Sequence, residues 1–421
     1  MPSNTRCFEI RFEKAAQQLQ ECLYAISESS RNSSTTCYEL HLIGVQISRI
    51  ILDLLVEILK LPLHKQPDAK HLKWDLVRIS GTRFVGPGQP WHDPDERRSV
   101  FPDVSSVRIL GDALSHRISH LDLAGSPEIL ACLFSMPKLE IEKLTIVRCT
   151  LSALECERLG GMVQRNVQLK YLGLSLAHLG EPGMLAESVG NATYLQELSI
   201  TEIDTSDHQT VSDTVVRPGG DDIVVRLLQN SQSRLRKLYL QSLDLKDFQL
   251  TAIFELLPMS KLEVLFLNGN NIQSEGILSL AMQLPRIKSL KVLNLGDNPW
   301  QDDHEKAEAC WAALLCGLLA NFSVESLGER DSCPTTKLVR FFCILNRAGR
   351  YLLEAPDVVP LGLWPFVLEL AGKDTYEDCA TIDQETKVAE YRAESIYFFL
   401  QNNPLLTSIY LSKNRRKPMN S

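Results

Sequence analysis

Apolar residues recur with one spacing in the stretch from residue 262 to residue 298. Three leucines and an asparagine occur there twice in the same order, at Leu262, Leu265, Leu267 and Asn270 and again at Leu290, Leu293, Leu295 and Asn298. Residues two apart lie on one side of a β-strand. The run between the two phrases has the apolar spacing of one helix face, at Ile277, Leu280, Ala281 and Leu284. The pattern therefore predicts a repeating unit of strand, turn and helix.

The phrase L-x-x-L-x-L-x-x-N is typical of a leucine-rich repeat. Clear copies open at Ile118, Ile141, Leu169, Leu195, Leu235, Leu262 and Leu290, at intervals of 23, 28, 26, 40, 27 and 28 residues. Weaker matches precede them, beginning near Cys37 and Leu72. Neither element of a unit can bury its apolar side alone, so the units must stack. The predicted fold is an α/β leucine-rich-repeat solenoid.

Breaks in the pattern indicate how the chain is organised. Residues 7–26 can form an amphipathic helix, which predicts an N-terminal helical cap with its connector over 1–36. The solenoid is expected over 37–323, with insertions at about 84–99, a stretch rich in Gly and Pro, and at about 205–221, inside the 40-residue interval. Helical spacing after the last full phrase predicts a C-terminal helical cap over 324–421.

Composition and charge narrow the class of partner. Hydrophobic residues make up 44% and charged residues 23% of the chain, as in folded globular proteins. A net charge of −8 disfavours nucleic acid or an anionic membrane and would suit a neutral or basic partner. No secretory or bilayer-spanning segment is visible, which predicts a cytoplasmic or nuclear protein. A monomer is the favoured oligomeric state. The eleven cysteines form no C-x-x-C pair, which suits reduced, buried thiols better than a disulfide or zinc framework.

Residue patterns of enzymes are not found in the sequence, so we predict no catalytic residue, no cofactor and no metal site. His116 and His120 have the spacing of two ligands on a helix, but the repeat phrase places His120 in a strand. No G-x-S-x-G or phosphate-binding loop occurs. The chain is therefore expected to act without catalysis.

Candidate binding residues follow from the geometry of the strands. The residues between the inward leucines face the opposite, concave side, where stacked repeats form columns of side chains about 5 Å apart. The chosen candidates for binding a protein are Tyr171, Ser199, Lys237, Tyr239, Gln241, Phe266, Asn268, Asn294 and Trp300. Tyr239 and Phe266 are expected to be exposed aromatic neighbours, the usual carriers of binding energy; alternatively, a cap or insertion covers them. Gly173 and Ser175 predict a shallow stretch that a partner's backbone could approach.

Strand and helix units of 26 to 28 residues resemble the ribonuclease-inhibitor-like class of leucine-rich repeats over roughly Cys37 to Leu327. The resemblance implies a right-handed horseshoe with a parallel sheet on the concave face and helices on the convex face. Members of the class include inhibitors, GTPase activators and ubiquitin-ligase receptors. The C-terminal segments LNRAGRYLL and VPLGLWPFVLELA resemble a signature of uncharacterised leucine-rich-repeat proteins of microscopic algae.

Three functions remain open at this point. The leading hypothesis is a non-enzymatic scaffold that binds a protein or peptide on the concave strands between Tyr171 and Trp300. The alternative is a GTPase activator, in which Asn270, Asn298, Arg97 or Arg98 would help to order the nucleotide site of the GTPase. A ubiquitin-ligase substrate receptor ranks last, because the N-terminal helix contains no recruiting motif that we recognise.

Overall fold

The structure is a computed structural model of the 421-residue chain. It describes residues 5–11, 14–29, 37–64, 74–80, 83–84, 104–115, 118–125, 129–130, 141–179, 185, 189, 191–202, 224–225, 228–229, 233–328, 334–354, 363–372 and 385–403. The chain forms two compact units, Met1–Leu243 and Asp244–Ser421. Among the described residues, no helix has both the length and the apolar content needed to cross a bilayer.

The first unit is built from parallel strands. Its described strands are β1 (Thr5–Arg11), β2 (Cys37–Ile43), β3 (Gln46–Ile47), β4 (Trp74–Ser80), β5 (Arg83–Phe84), β6 (Ile118–Ala124), β7 (Lys143–Leu151), β8 (Tyr171–Leu179), β9 (Glu197–Glu202) and β10 (Lys237–Gln241). Eight of them pair in the order β1-β2-β4-β6-β7-β8-β9-β10, while β3 pairs separately with β5. The predicted α/β leucine-rich-repeat fold is confirmed.

Alternation along each strand decides which side of this sheet is buried. In β6, Leu121 and Leu123 are fully buried, whereas His120 and Asp122, which alternate with them, are only partly covered. Described helices that follow strands in the chain are α1 (Ala15–Ser29), α2 (Arg49–His64), α3 (Val104–Ser115) and α4 (Ala153–Arg165). The buried strand leucines and the apolar helix faces thus form the core of the unit.

The N-terminus differs from the prediction. Residues 7–11, expected to begin a helix, lie in β1, which pairs in parallel with β2. Ile10 is buried, while Cys7, Glu9 and Arg11 are exposed, so the segment alternates with the period of a strand. The helix starts at Ala15. Thr5–Arg11 and Ala15–Ser29 therefore form a strand and a helix of the same kind as those of the repeats that follow.

The second unit continues the strand and helix pattern and then becomes helical. Its strands are β11 (Val264–Phe266) and β12 (Val292–Asn294), which pair in parallel. Its helices are α5 (Asp247–Leu256), α6 (Ser274–Gln283), α7 (His304–Leu319), α8 (Pro334–Arg347), α9 (Trp364–Gly372) and α10 (Glu385–Asn402). Single turns of 3-10 helix span Leu257–Met259, Leu284–Arg286 and Pro299–Gln301, each with a proline at its start, and Arg350–Glu354 forms a longer one.

The last three described helices share a core. Buried residues of this cluster are Leu345, Ala348, Trp364, Val367, Ala371 and Phe399. Arg350 is buried beside it, where its guanidinium donates hydrogen bonds to the carbonyls of Leu318 and Asn321 at 2.8 and 2.7 Å. The C-terminal sequence signature thus supplies structural residues. The boundaries of the cap and of the 84–99 and 205–221 insertions stay predictions, since 85–100 and 203–223 lie outside the described residues.

A candidate binding face on the first unit

The side of the first unit's sheet that is not packed against helices carries ordered rows of side chains, and we call it the open face. One row contains His120, Lys143, Tyr171, Glu197 and Lys237; the next contains Asp122, Thr145, Gly173, Ser199 and Tyr239; the third contains Ala124, Val147, Ser175, Thr201 and Gln241. The strand register therefore confirms the rows that the repeat phrase predicted. Tyr171, Ser199, Lys237, Tyr239 and Gln241 lie on this face.

The centre of the open face is a hydrogen-bonded group. His120 Nε2 lies 2.9 Å from Thr145 Oγ1 on the neighbouring strand. The Tyr171 hydroxyl hydrogen-bonds the side chains of Thr145 and Ser199. The rings of His120 and Tyr171 meet edge to face, with centroids 6.4 Å apart. Four strands, β6 to β9, are thus joined through their side chains as well as through their backbones.

Gly173 explains the position of the Tyr171 ring. A Cβ atom on Gly173 would lie 2.7 Å from the Tyr171 hydroxyl oxygen and about 3 Å from two ring carbons. The ring therefore lies along the strand over Gly173, and the glycine itself is buried. The prediction of a shallow stretch at Gly173, open to a partner's backbone, is wrong. The surface that a partner would meet there is the tyrosine.

A second group follows towards the end of the unit. The Glu197 carboxylate accepts a hydrogen bond from the Tyr239 hydroxyl and lies 3.4 Å from Lys237 Nζ. Burial, and then the charge of Glu197, raise the pKa of Tyr239. Burial also raises the pKa of Tyr171, with Glu197 adding to the effect. Both tyrosines therefore present neutral phenols to a partner near neutral pH.

The face extends further towards the N-terminus than the chosen residues suggest. Arg78 Nε donates to Asp122 Oδ2 at 2.8 Å, and the carboxylate is the more buried partner. Burial lowers the pKa of His120; Asp122 opposes this, while Lys143 and Arg78 reinforce it. His120 and Asp122 could have been found from the sequence. His120 occupies the same slot of the repeat phrase as Tyr171, and Asp122 occupies the same slot as Tyr239.

Three candidates lie in the second unit, and their exposure is in the same range as that of Tyr171, Ser199, Tyr239 and Gln241. Phe266, Asn268 and Asn294 are each partly buried. Asn294 Oδ1 already accepts a hydrogen bond from Gly296 N at 3.0 Å. Tyr239 belongs to the first unit and Phe266 to the second, and the hypothesis that both contact one partner stays a prediction.

Trp300 is a core residue, and its choice as a binding residue is wrong. It is only 1% exposed. Its ring meets Trp311 of α7 edge to face, with centroids 5.0 Å apart. Pro299 starts a helical turn directly after Asn298, and in this turn the indole of Trp300 is buried in the core of the second unit. Aromatic pairs of this geometry stabilise a core beyond the area that they bury.

The asparagines considered for the GTPase-activator alternative are also structural. Asn270 and Asn298 are 6% and 3% exposed. Asn298 Nδ2 donates to the carbonyls of Leu295 and Leu267, and its Oδ1 accepts from Ile272 N at 3.2 Å. Neither amide is available to a GTPase, so this part of the alternative is wrong. Arg97 and Arg98, its other candidates, lie outside the described residues.

Comparisons with known proteins find sequence similarity to ribonuclease inhibitors. The chain is 29% identical to a ribonuclease inhibitor of Mus musculus over 227 residues, and 26% identical to a ribonuclease inhibitor of Sus scrofa over 222 residues. Each alignment covers 52% of this chain and 45% of the relative, so the chain spans about half the length of the curated relatives it matches. No family model matches. A solved structure of leiomodin-1 actin-binding site 2 is 18% identical, with a TM-score of 0.32, over 41% of this chain and 92% of that one.

Proposed function

We propose that this ribonuclease-inhibitor-like leucine-rich-repeat protein is a non-enzymatic scaffold that binds a protein or peptide on the open face of its first unit. The observation that carries the proposal is the connected set of partly exposed side chains across β6 to β10, from His120 to Tyr239. Its curated relatives are named as inhibitors, which act by binding another protein.

The arrangement of the face suits binding for two physical reasons. Tyr171 and Tyr239 present large, amphipathic surfaces whose rotamers are already fixed by hydrogen bonds to Ser199 and Glu197. Side chains that are ordered before binding lose less conformational entropy when a partner arrives. Tyrosine is also among the residues that most often carry binding energy in protein interfaces. We therefore assign the main contact energy to these two rings.

The charges of the face favour a partner with groups of both signs. Lys143 and Lys237 are exposed, whereas Asp122 and Glu197 are partly covered. The chain as a whole carries a net charge of −8, which suits a neutral or basic protein. A ribonuclease is the first partner to test, because the relatives are ribonuclease inhibitors. The proposal itself concerns the class of partner, a folded protein or peptide.

The test is a comparison of three forms of the full chain in affinity capture, followed by binding measurements on the captured protein. Lys237→Ala combined with Tyr239→Ala removes two neighbouring side chains of the face. Tyr24→Ala is the matched control, since Tyr24 lies on α1 and is 66% exposed. We expect a partner that wild type and control retain and that the face variant binds at least about tenfold more weakly.

A purified ribonuclease is measured in parallel, by its binding to the three forms of the chain and by its residual activity at increasing concentrations of each form. Inhibition that the face variant loses and the control keeps would identify the partner class directly. If all three forms bind the same proteins with equal affinity, the open face is not the binding surface and the proposal fails.

A further inference from the structure

Cys7, Glu39 and His41 bring three different metal-binding groups together at the N-terminal edge of the first unit's sheet. Their ligand atoms all lie within 4.8 Å of one another. Among the residues that the structure describes, they form the only group of three or more such side chains at this spacing. We infer that these residues form a mononuclear zinc site with an open fourth position. The inference does not depend on the proposed protein-binding function.

The strand register produces the cluster. Cys7 of β1 pairs with Glu39 of β2, and Glu9 pairs with His41. Glu39 and His41 are two residues apart, so their side chains leave β2 on the same side. The Cys7 side chain on the adjacent strand completes the triangle. All three lie on the open face, where Cys7 is exposed and the side chains of Glu39 and His41 are 31% and 17% exposed.

The two distances from His41 are close to those around a tetrahedral ion. Zn–S and Zn–N bonds of about 2.3 and 2.0–2.1 Å, at a tetrahedral angle, place sulfur and nitrogen about 3.6 Å apart, and nitrogen and oxygen about 3.3 Å apart. Cys7 Sγ lies 3.8 Å from His41 Nδ1 and 3.9 Å from Nε2. His41 Nε2 lies 3.5 Å from Glu39 Oε2. Measured from Nε2, these distances exceed the tetrahedral values by only about 0.2 to 0.3 Å. The Cys7 and Glu39 ligand atoms lie within 4.8 Å of each other.

The donor set also identifies the metal. A thiolate, an imidazole and a carboxylate together suit zinc, whereas calcium and magnesium prefer oxygen ligands alone. A thiolate and a carboxylate carry two negative charges, which balance a divalent ion. Three protein ligands leave a position for water or for a donor atom from another molecule, as in zinc sites that are not purely structural.

The surrounding charges are compatible with a cation. Glu9 lies on the same strand face as Cys7, and its carboxylate is 2.6 Å from Arg11 Nε. Glu39 and Glu9 act on the Cys7 sulfur as nearby negative charges, and Arg78 acts as a nearby positive charge. The Arg78 charge is already compensated by Asp122. A zinc ion at the centre would stabilise the thiolate that these carboxylates disfavour.

Sequence spacing could not have revealed this site. Cys7 and His41 are 34 residues apart, on two strands that meet only in the folded sheet. The prediction of no metal site rested on motifs in which ligands follow one another closely in the chain. Here one ligand comes from a neighbouring repeat.

The test uses the full-length, reduced protein with Zn²⁺ in calorimetry and with Co²⁺ as a spectroscopic substitute. Cys7→Ser and His41→Asn each remove one ligand. Cys316→Ser is the matched control, because Cys316 is an exposed free cysteine on α7. We expect a zinc equivalent that is bound by wild type and by the control. The ligand variants should bind it at least about tenfold more weakly, since even changes around the ligands cost tenfold to a hundredfold in affinity.

The cobalt spectrum separates specific from incidental binding. A thiolate-to-cobalt charge-transfer band in wild type that persists in Cys316→Ser and disappears in Cys7→Ser supports the site. Three results would each overturn it: no measurable zinc binding by the wild type, equal zinc affinity in all variants, or a cobalt spectrum without a thiolate band. Far-UV circular dichroism confirms that the variants are folded.

Discussion

A single buried amide joins two neighbouring repeats of the second unit. Asn298 Nδ2 donates to the carbonyls of Leu295 and Gly296 in its own turn and to Leu267 of the preceding repeat. Its Oδ1 accepts from Ile272 N. The carbonyl and N–H groups at these turns have left the strand pairing, and the asparagine satisfies them away from water. The asparagine of the repeat phrase is thus a structural residue.

The first prediction concerns this amide. Asn298→Ala should lower the free energy of unfolding by about 2–3 kcal/mol, because buried backbone groups lose their partners. Urea unfolding followed by circular dichroism measures the change. Asn402→Ala is the control, since Asn402 is exposed and its Nδ2 donates to Phe398 O within the same helix. An equal effect of both substitutions would contradict the structural role.

His120 supplies a prediction about pH. Burial holds its pKa below the ordinary value of 6.5, with Lys143 and Arg78 reinforcing the effect and Asp122 opposing it. Between the folded and unfolded pKa values the unfolded chain binds more protons, so stability falls as the pH decreases below about 6.5. Above about 6.5 the imidazole is neutral in both states and contributes no pH dependence.

The measurement is the free energy of unfolding at about pH 7.5 and about pH 5. His120→Gln should reduce the difference between the two pH values, because the titrating group is gone. Asn402→Ala, at an exposed residue without a titrating group, should leave the difference as in wild type. A pH dependence that is unchanged in His120→Gln would show that His120 does not contribute to it.

At the scale of one strand, Gly173 determines the conformation of the binding face. Gly173→Ala would place a methyl group where the Tyr171 hydroxyl and ring now lie. The ring would have to leave its hydrogen bonds with Thr145 and Ser199. We expect a loss of stability of about 1–2 kcal/mol, the usual size of overpacking effects.

The matched control for this prediction is Gly161→Ala in α4. Its added Cβ would meet only the flexible end of Arg165, at 3.2 Å. A glycine replaced by alanine inside a helix gains about 0.5–1 kcal/mol. Thermal unfolding of both variants tests the pair, and the argument fails if Gly173→Ala is as stable as Gly161→Ala.

The strands were predicted correctly from the sequence where apolar residues clearly alternate with a period of two. The strand slots of β6 to β10 were predicted because leucines two apart fix the inward side. At residues 7–11 the pattern of Phe8 and Ile10 overlaps with the helical spacing that follows, and the strand was missed. Trp300 was misplaced because a sequence does not show which way a turn after Asn298 carries its side chain.

At the scale of the whole chain, repetition made the fold predictable and left the partner open. Each strand and helix is stabilised mainly by its neighbours, so a local phrase is sufficient to predict the architecture. The side chains that a partner would meet come from slots that the core does not constrain. The metal-binding cluster of Cys7, Glu39 and His41 could not be predicted for the same reason, since its members share no local phrase.

The aligned rows of the open face have a consequence for how such a protein can change. Gain, loss or exchange of one complete repeat would add, remove or replace three outward residues together. The inward leucines of the neighbouring repeats would keep their register. Residues such as Ser199, Glu197 and Thr201 would travel together, because they belong to one strand. A lineage of these proteins could therefore acquire new partners by recombining whole units, without first having to rebuild a core.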